Sequence, residues 1–157
     1  MIYIFDLDET LIDSAHRTPN NPDGTINLPA YIEKHTAENV WRDSLLPLAR
    51  IFHALKNSGA KIWILTARDM AAFDYEFLQH HGIIADKIMS RDRVKTKNHY
   101  FSSDGKYKTR WIQPLLNLKQ FAREHFIIFD DAAPVLSAMR KLKITALNAK
   151  KLNARLA

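Results

Sequence analysis

Residues 2–11, IYIFDLDETL, decide the fold: four apolar, β-favouring residues run straight into Asp6-Leu7-Asp8-Glu9-Thr10. A short apolar run with polar residues at its end reads as a strand buried on both faces. Four more runs have this character: KIWIL at 61–65, DKIM at 86–89, FIIF at 126–129 and KITAL at 143–147. Between them the spacing turns helical. Leu45, Leu48, Ile51, Phe52 and Leu55 share one face of 45–57, a segment that Ser58-Gly59 ends, and residues 70–81 and 107–122 read the same way. Asp131 followed by AAPVLSAMRKL reads as a capped helix with Pro134 in its first turn. His80-His81 before Gly82 reads as a helix end, not a metal site. Strands alternating with helices predict a mainly parallel sheet covered on both faces, an α/β sandwich of right-handed βαβ units. In such sheets ligands bind beyond the carboxyl ends of the strands.

Two stretches interrupt the alternation. Residues 14–30, SAHRTPNNPDGTINLPA, are dense in turn-forming residues and follow the first strand directly, so 14–44 is expected to form a flap or minimal cap. The second, 90–106, is polar and basic, with Tyr100 and Phe101 embedded. The 157 residues, 46% hydrophobic and 25% charged, suit one domain spanning 1–157. With no cysteine in the chain, disulfide scaffolds, thiolate zinc sites, iron–sulfur clusters and cysteine nucleophiles are excluded, and a reducing, cytoplasmic setting fits. Neither a membrane span nor a secretory signal is expected, because Asp6 interrupts the first apolar run.

The net charge of +6 is unevenly placed: residues 132–157 hold six basic side chains and no acidic one. A second surplus lies at 86–110, whereas the first 13 residues carry Asp6, Asp8, Glu9 and Asp13 with no base. An acidic point ringed by basic segments suits a metal site that handles an anionic substrate.

The ends of the strands carry the chemistry. The first ends in Asp6 and Asp8, two carboxylates too close to be buried without a cation or protons. The second ends in Thr66-Ala67-Arg68, a hydroxyl and a guanidinium suited to phosphate oxygens. The strand at 126–129 ends in Asp130-Asp131, and Lys108 stands near the start of a helix, where an anion is favoured.

These residues resemble the motifs of the haloacid dehalogenase superfamily of aspartate-nucleophile phosphatases, over nearly the whole chain. IFDLDETL is similar to its first motif, ILTAR to its second, Lys108 to its third and IIFDDA to its fourth. The resemblance implies a Rossmann-like three-layer α/β/α sandwich and a hydrolase in which Asp6 attacks phosphorus and Asp8 is the general acid. Thr66, Arg68 and Lys108 would then neutralise the phosphoryl oxygens. It implies Mg²⁺, held by Asp6, the Asp8 carbonyl and Asp131, with Asp130 reaching the ion through water or holding Lys108. Arg68 and the spacing of PLARIFHALKNSGAKIWILTAR look most like the 3′-phosphatase domain of polynucleotide kinase, with one departure, Glu9, which stands where that group usually has glycine. No GxxxxGK[ST] loop is present, so no kinase activity is implied.

A small flap leaves the site open to a bulky ester, so the expected substrate is a 3′-phosphorylated nucleic-acid end, with the basic segments following the backbone and Tyr100 or Phe101 stacking on a base. The alternatives are a 5′- or 3′-nucleotidase acting on free nucleotides or deoxynucleotides and a non-catalytic phosphate- or nucleic-acid-binding domain. Binding alone needs no nucleophile and acid together, which disfavours the last. His16 and His35 lie in or beside the flap; Trp41, Trp63 and Trp111 are read as packing residues.

Overall fold

The computed structural model describes residues 1–97 and 102–157, so Tyr100 and Phe101 lie outside the described residues. Five strands, β1 (Ile2–Phe5), β4 (Lys61–Leu65), β5 (Lys87–Met89), β6 (Phe126–Asp130) and β7 (Thr145–Asn148), form one sheet in the order β5-β4-β1-β6-β7. Every neighbouring pair is parallel. Two short strands, β2 (Ile12–Asp13) and β3 (Ser44–Leu45), pair antiparallel. Between those two strands the chain carries helices α1 (Leu28–Lys34) and α2 (Ala37–Val40).

Alternation along the strands sorts the core into two layers. Phe5, Ile62, Ile64 and Phe129 face α3 (Leu48–Asn57), α4 (Ala72–His80) and α7 (Ala149–Leu156). Ile2, Ile4, Trp63, Leu65 and Ile128 face α5 (Asp104–Leu116) and α6 (Ala133–Lys141). A sheet buried on both faces in this way is the mainly parallel α/β sandwich that the sequence pattern predicts, with the Rossmann-like three-layer form that the resemblance implies. Burying these apolar side chains is the main favourable term, at about 1.5–3 kcal/mol for each large one. No helix among the described residues is long and apolar enough to cross a membrane.

Several boundaries differ from the sequence reading; Leu45, read onto the helix of 45–57, lies in β3, and that helix starts at Leu48. The helix expected over 107–122 ends at Leu116, followed by a 3-10 turn at Lys119–Phe121. Pro114, inside its last turn, has no N–H to extend the ladder, and its ring crowds the carbonyl one turn back. Asp131 does not cap the next helix: the cap position is Ala132, and its N–H donates to Asp130 Oδ1 at 3.0 Å. The last strand starts at Thr145 because Lys143 leaves α6 in the left-handed region, at φ 61°. The predicted helix ends at Gly59 and Gly82 do occur, with φ of 79° and 68°, values that favour glycine.

Strand order positions the site. With β1 in the centre, flanked by β4 and β6, the carboxyl ends of all three lie side by side. Phe5 is level with both Ile64 and Phe129, so Asp6, the end of β4 and Asp130 emerge at one height. Just past β1 the chain turns tightly, with the Thr10, Leu11 and Ile12 N–H groups all donating to the Leu7 carbonyl.

Candidate active site

Asp6 and Asp130 leave adjacent strands and meet over one ammonium group. Lys108, in the first turns of α5, places Nζ 2.8 Å from Asp6 Oδ1 and 2.6 Å from Asp130 Oδ2. The three are almost wholly buried. Burial raises the Asp6 carboxyl well above its usual range; Lys108 opposes this, while Asp130 and Asp8 add to it. Burial alone would push Lys108 down, but the Asp130 and Asp6 carboxylates outweigh it and hold the ammonium charged.

Oxygen atoms of Asp6, Asp130 and Asp131 lie within 4.8 Å of one another. An all-carboxylate donor set of this kind suits a hard divalent cation such as Mg²⁺. Asp131 meanwhile pairs with Lys150 of α7 at 3.0 Å, and its carboxyl is raised, chiefly by burial.

Asp8 belongs to a second cluster. Arg68 grips it with two bonds, Nε to Oδ2 at 3.1 Å and Nη2 to Oδ1 at 2.5 Å, and Ser14 Oγ donates to Oδ1 at 2.7 Å. The other end of the Arg68 fork, Nη1, donates to Asp74 Oδ1 at 2.8 Å. Asp74 also accepts from the Ala71 N–H and meets His35 Nε2, each at 2.8 Å. Burial pushes the Asp8 carboxyl up, but the Arg68 charge and hydrogen bonds, with Ser14 and Arg17, hold it well below the usual carboxylate range.

The segment between β2 and β3 reaches into this cluster. Arg17, only 1% exposed, donates from Nε and Nη2 to Asp43 at 2.9 and 2.8 Å, while Nη2 stands 3.8 Å from Asp8 Oδ1. His16 Nε2 shares Asp43 at 2.8 Å. The Tyr31 ring lies 5.8 Å from the Arg17 guanidinium, and burial, reinforced by the Asp8 charge, pushes its hydroxyl up to about 12. Thr66 Oγ1 is buried beside Arg68, accepting its backbone N–H at 3.1 Å.

All seven residues singled out from sequence therefore come to one sheet edge: Asp6, Asp8, Thr66, Arg68, Lys108, Asp130 and Asp131. The sequence reading expected Arg68 to face phosphoryl oxygens; in the structure its fork is engaged by Asp8 and Asp74. Arg17, Asp43, Asp74, Ser14 and Tyr31 were not singled out. Asp74 reads locally as an ordinary first-turn acid of a helix, and nothing in 14–43 separates Arg17 from its polar neighbours. Of the tryptophans, Trp63 is a core residue, whereas Trp41 is 44% exposed against Phe77 and His80.

A buried carboxylate, a second carboxylate two residues on, and a buried lysine and threonine stand together at the edge of this sheet, the arrangement that the resemblance to the haloacid dehalogenase superfamily implies. The backbone agrees: a haloacid dehalogenase-like hydrolase from Streptococcus pneumoniae superposes with a TM-score of 0.65 at 19% identity, over 94% of this chain and 83% of that one. A chain of the Pnkp1/Rnl/Hen1 RNA repair complex gives 0.61 at 22% identity, over 94% of this chain and 41% of that one. The chain belongs to the bacteriophage T5 5′-deoxynucleotidase family, which it matches over residues 1–157. The 5′-deoxynucleotidase of Escherichia phage T5 is 28% identical over 168 aligned positions, covering 97% of this chain and 68% of that protein.

Proposed function

We propose that the chain is a Mg²⁺-dependent 5′-deoxynucleotidase that removes phosphate from deoxynucleoside monophosphates through an aspartyl phosphate on Asp6. The observation that carries this reading is the family match over residues 1–157, which takes in the 14–44 flap as well as the strand ends. On this reading 1–157 is a single phosphatase domain and 14–44 its small cap, working in the cytoplasm.

Asp6 is the nucleophile: its oxygen bonds to phosphorus as the ester oxygen departs, which divides the transfer into two easier steps. Lys108 holds Asp6 in place and, with Thr66, offsets charge on the phosphoryl oxygens. Asp8 gives a proton to the departing oxygen and later takes one from the water that cleaves the aspartyl phosphate. In the free chain Arg68 keeps Asp8 ionised, so Asp8 can hold that proton only when the arriving phosphate offsets the Arg68 and Arg17 charges. Mg²⁺, held by Asp6, the Asp8 carbonyl and Asp131, with Asp130 bracing Lys108, would supply positive charge for the phosphoryl oxygens.

A 3′-phosphorylated nucleic-acid end is less well supported. That expectation leaned on Arg68, the spacing of residues 47–68, the basic segments and open access; of these, Arg68 is engaged by two carboxylates and the flap reaches Asp8 through Ser14 and Arg17. The test is phosphate release with Mg²⁺ from deoxynucleoside 5′-monophosphates, their 3′-isomers, a 3′-phosphorylated oligonucleotide and an aryl phosphate. The 5′-monophosphates are expected to be the best substrates, and Asp6→Asn is expected to lower release by roughly a thousandfold or more while the protein stays folded. Preference for the oligonucleotide would overturn the substrate, and an active Asn variant would overturn the covalent step.

A further inference from the structure

Arg17 carries a buried donor that the fold leaves unused. Its Nη1 is sealed from solvent and has no hydrogen-bond partner among the described residues. A charged donor in that position is costly unless something else satisfies it. The rest of the guanidinium is fixed: Asp43 takes the Nε–Nη2 edge with bonds of 2.9, 3.1 and 2.8 Å, and Asp43 is itself fully buried and braced by His16. An arginine fork held on one edge presents its opposite edge, Nη1 with the second Nη2 hydrogen, in a set direction. That opposite edge includes the nitrogen standing 3.8 Å from Asp8 Oδ1.

We infer that Arg17 is a specificity-determining residue whose free edge donates to an oxygen acceptor on the nucleoside part of the substrate, beside the ester oxygen that Asp8 protonates. The inference rests on the deoxynucleotidase reading. The side of the site decides which part of the substrate Arg17 meets. Lys108 and Asp130 gather on Asp6, where phosphorus is attacked, whereas Arg17 stands with Asp8, where the leaving group departs. A sugar or base oxygen there would satisfy Nη1 and would give the flap a reading of the nucleoside. A plain aryl ester has no oxygen at that place to accept it.

The experiment compares kcat and KM for a deoxynucleoside 5′-monophosphate and for phenyl phosphate, in the unmodified chain and in Arg17→Ala and Arg17→Lys. Both substitutions are expected to lower the nucleotide-to-aryl ratio of kcat/KM by at least about tenfold, mostly through KM of the nucleotide, as loss of a charged hydrogen bond implies. Asp43→Asn, which loosens the fork without removing it, is expected to lower the ratio less. Equal losses on the two substrates would overturn the inference, since a phosphoryl contact or a purely structural role acts on both alike. If Arg17→Ala fails to fold, Arg17→Lys keeps the charge beside Asp43 without the fork and the same ratio is read from it. An unmodified chain that hydrolyses the aryl ester but not the nucleotide would overturn the deoxynucleotidase reading itself, a result visible before any substitution.

Discussion

The two halves of the site are built from different parts of the chain and obey different constraints. Asp6, Lys108 and Asp130 sit on the rigid sheet and the first turns of α5, so their geometry follows from strand order and register. Asp8 is held instead by a chain of ion pairs, Arg68 to Asp74 to His35 on one side and Arg17 to Asp43 on the other, that stitches the flap to the sheet. The first half is a compact charge cluster in the core, and the second is a network whose far ends, His35 and Asp43, lie in residues 14–44. Asp6 is thus placed by the fold, whereas Asp8 is placed by side-chain contacts that reach into residues 14–44.

The largest effect is expected where charge is most deeply buried. Lys108→Met keeps the volume but leaves Asp6 and Asp130 facing each other without a cation. Breaking a buried pair from one side costs about 3–5 kcal/mol. Denaturant unfolding in the absence of metal is therefore expected to report a loss of that size, and phosphate release is expected to fall by roughly a hundredfold or more. Saturating Mg²⁺ should return part of the lost stability, because the three carboxylates would then share the ion's charge. A Met variant as stable as the unmodified protein would break the distinction between the halves, since Lys108 would not then be the element that makes the core cluster tolerable.

Asp74 tests the second half. Asp74→Asn removes the carboxylate on which Arg68 Nη1, His35 and the Ala71 N–H converge, while keeping the shape. A loss of about 1–3 kcal/mol at neutral pH is expected. Its pH dependence sharpens the comparison. Burial pushes the Asp74 carboxyl up, but the His35 hydrogen bond, the Arg68 charge and the Ala71 N–H prevail, and the group lies below its ordinary value in the folded chain. A carboxyl depressed by folding gives stability that is complete above its unfolded pKa, near 4, and lost as pH falls through the folded value. Urea unfolding at pH 7 and below pH 4 should then show the gap between Asp74→Asn and the unmodified chain narrowing on acidification. A gap independent of pH would mean that shape, not charge, gives Asp74 its role.

The same division explains what the sequence made legible. Asp6, Asp8, Thr66, Arg68, Asp130 and Asp131 all stand within three residues of a strand end, so finding the strands finds them. The Arg17–Asp43 and His35–Asp74 pairs are separated by 26 and 39 positions and lie in or against a flap with no hydrophobic period. Local propensity carries no information about such partners, since each member alone reads as a turn residue or a helix-start acid. The misplaced boundaries share a cause of the same kind. A proline in the last turn of α5 and a left-handed Lys143 are one-residue events that a periodic pattern averages over.

Glu9 joins the two halves and carries the smallest expected effect. It lies between Asp8 and the start of the flap, at φ 55°, a conformation that costs a non-glycine residue roughly 1 kcal/mol. Its carboxylate compensates by accepting the Ser14 N–H at 3.2 Å, at the turn that brings Ser14 to Asp8 and Arg17 into the site. Glu9→Gly removes both the strain and the bond, so stability should shift by no more than about 0.5 kcal/mol, while kcat/KM falls a few-fold as the Ser14–Asp8 contact loosens. Glu9→Ala keeps the strain and loses the bond, and should be about 1 kcal/mol less stable than the glycine variant. Thermal melts of the two variants side by side separate backbone from side chain. Equal melting temperatures would mean that the chain does not need the left-handed turn at position 9, and the coupling between the end of β1 and the flap would then have to pass through Ser14 and Asp8 alone.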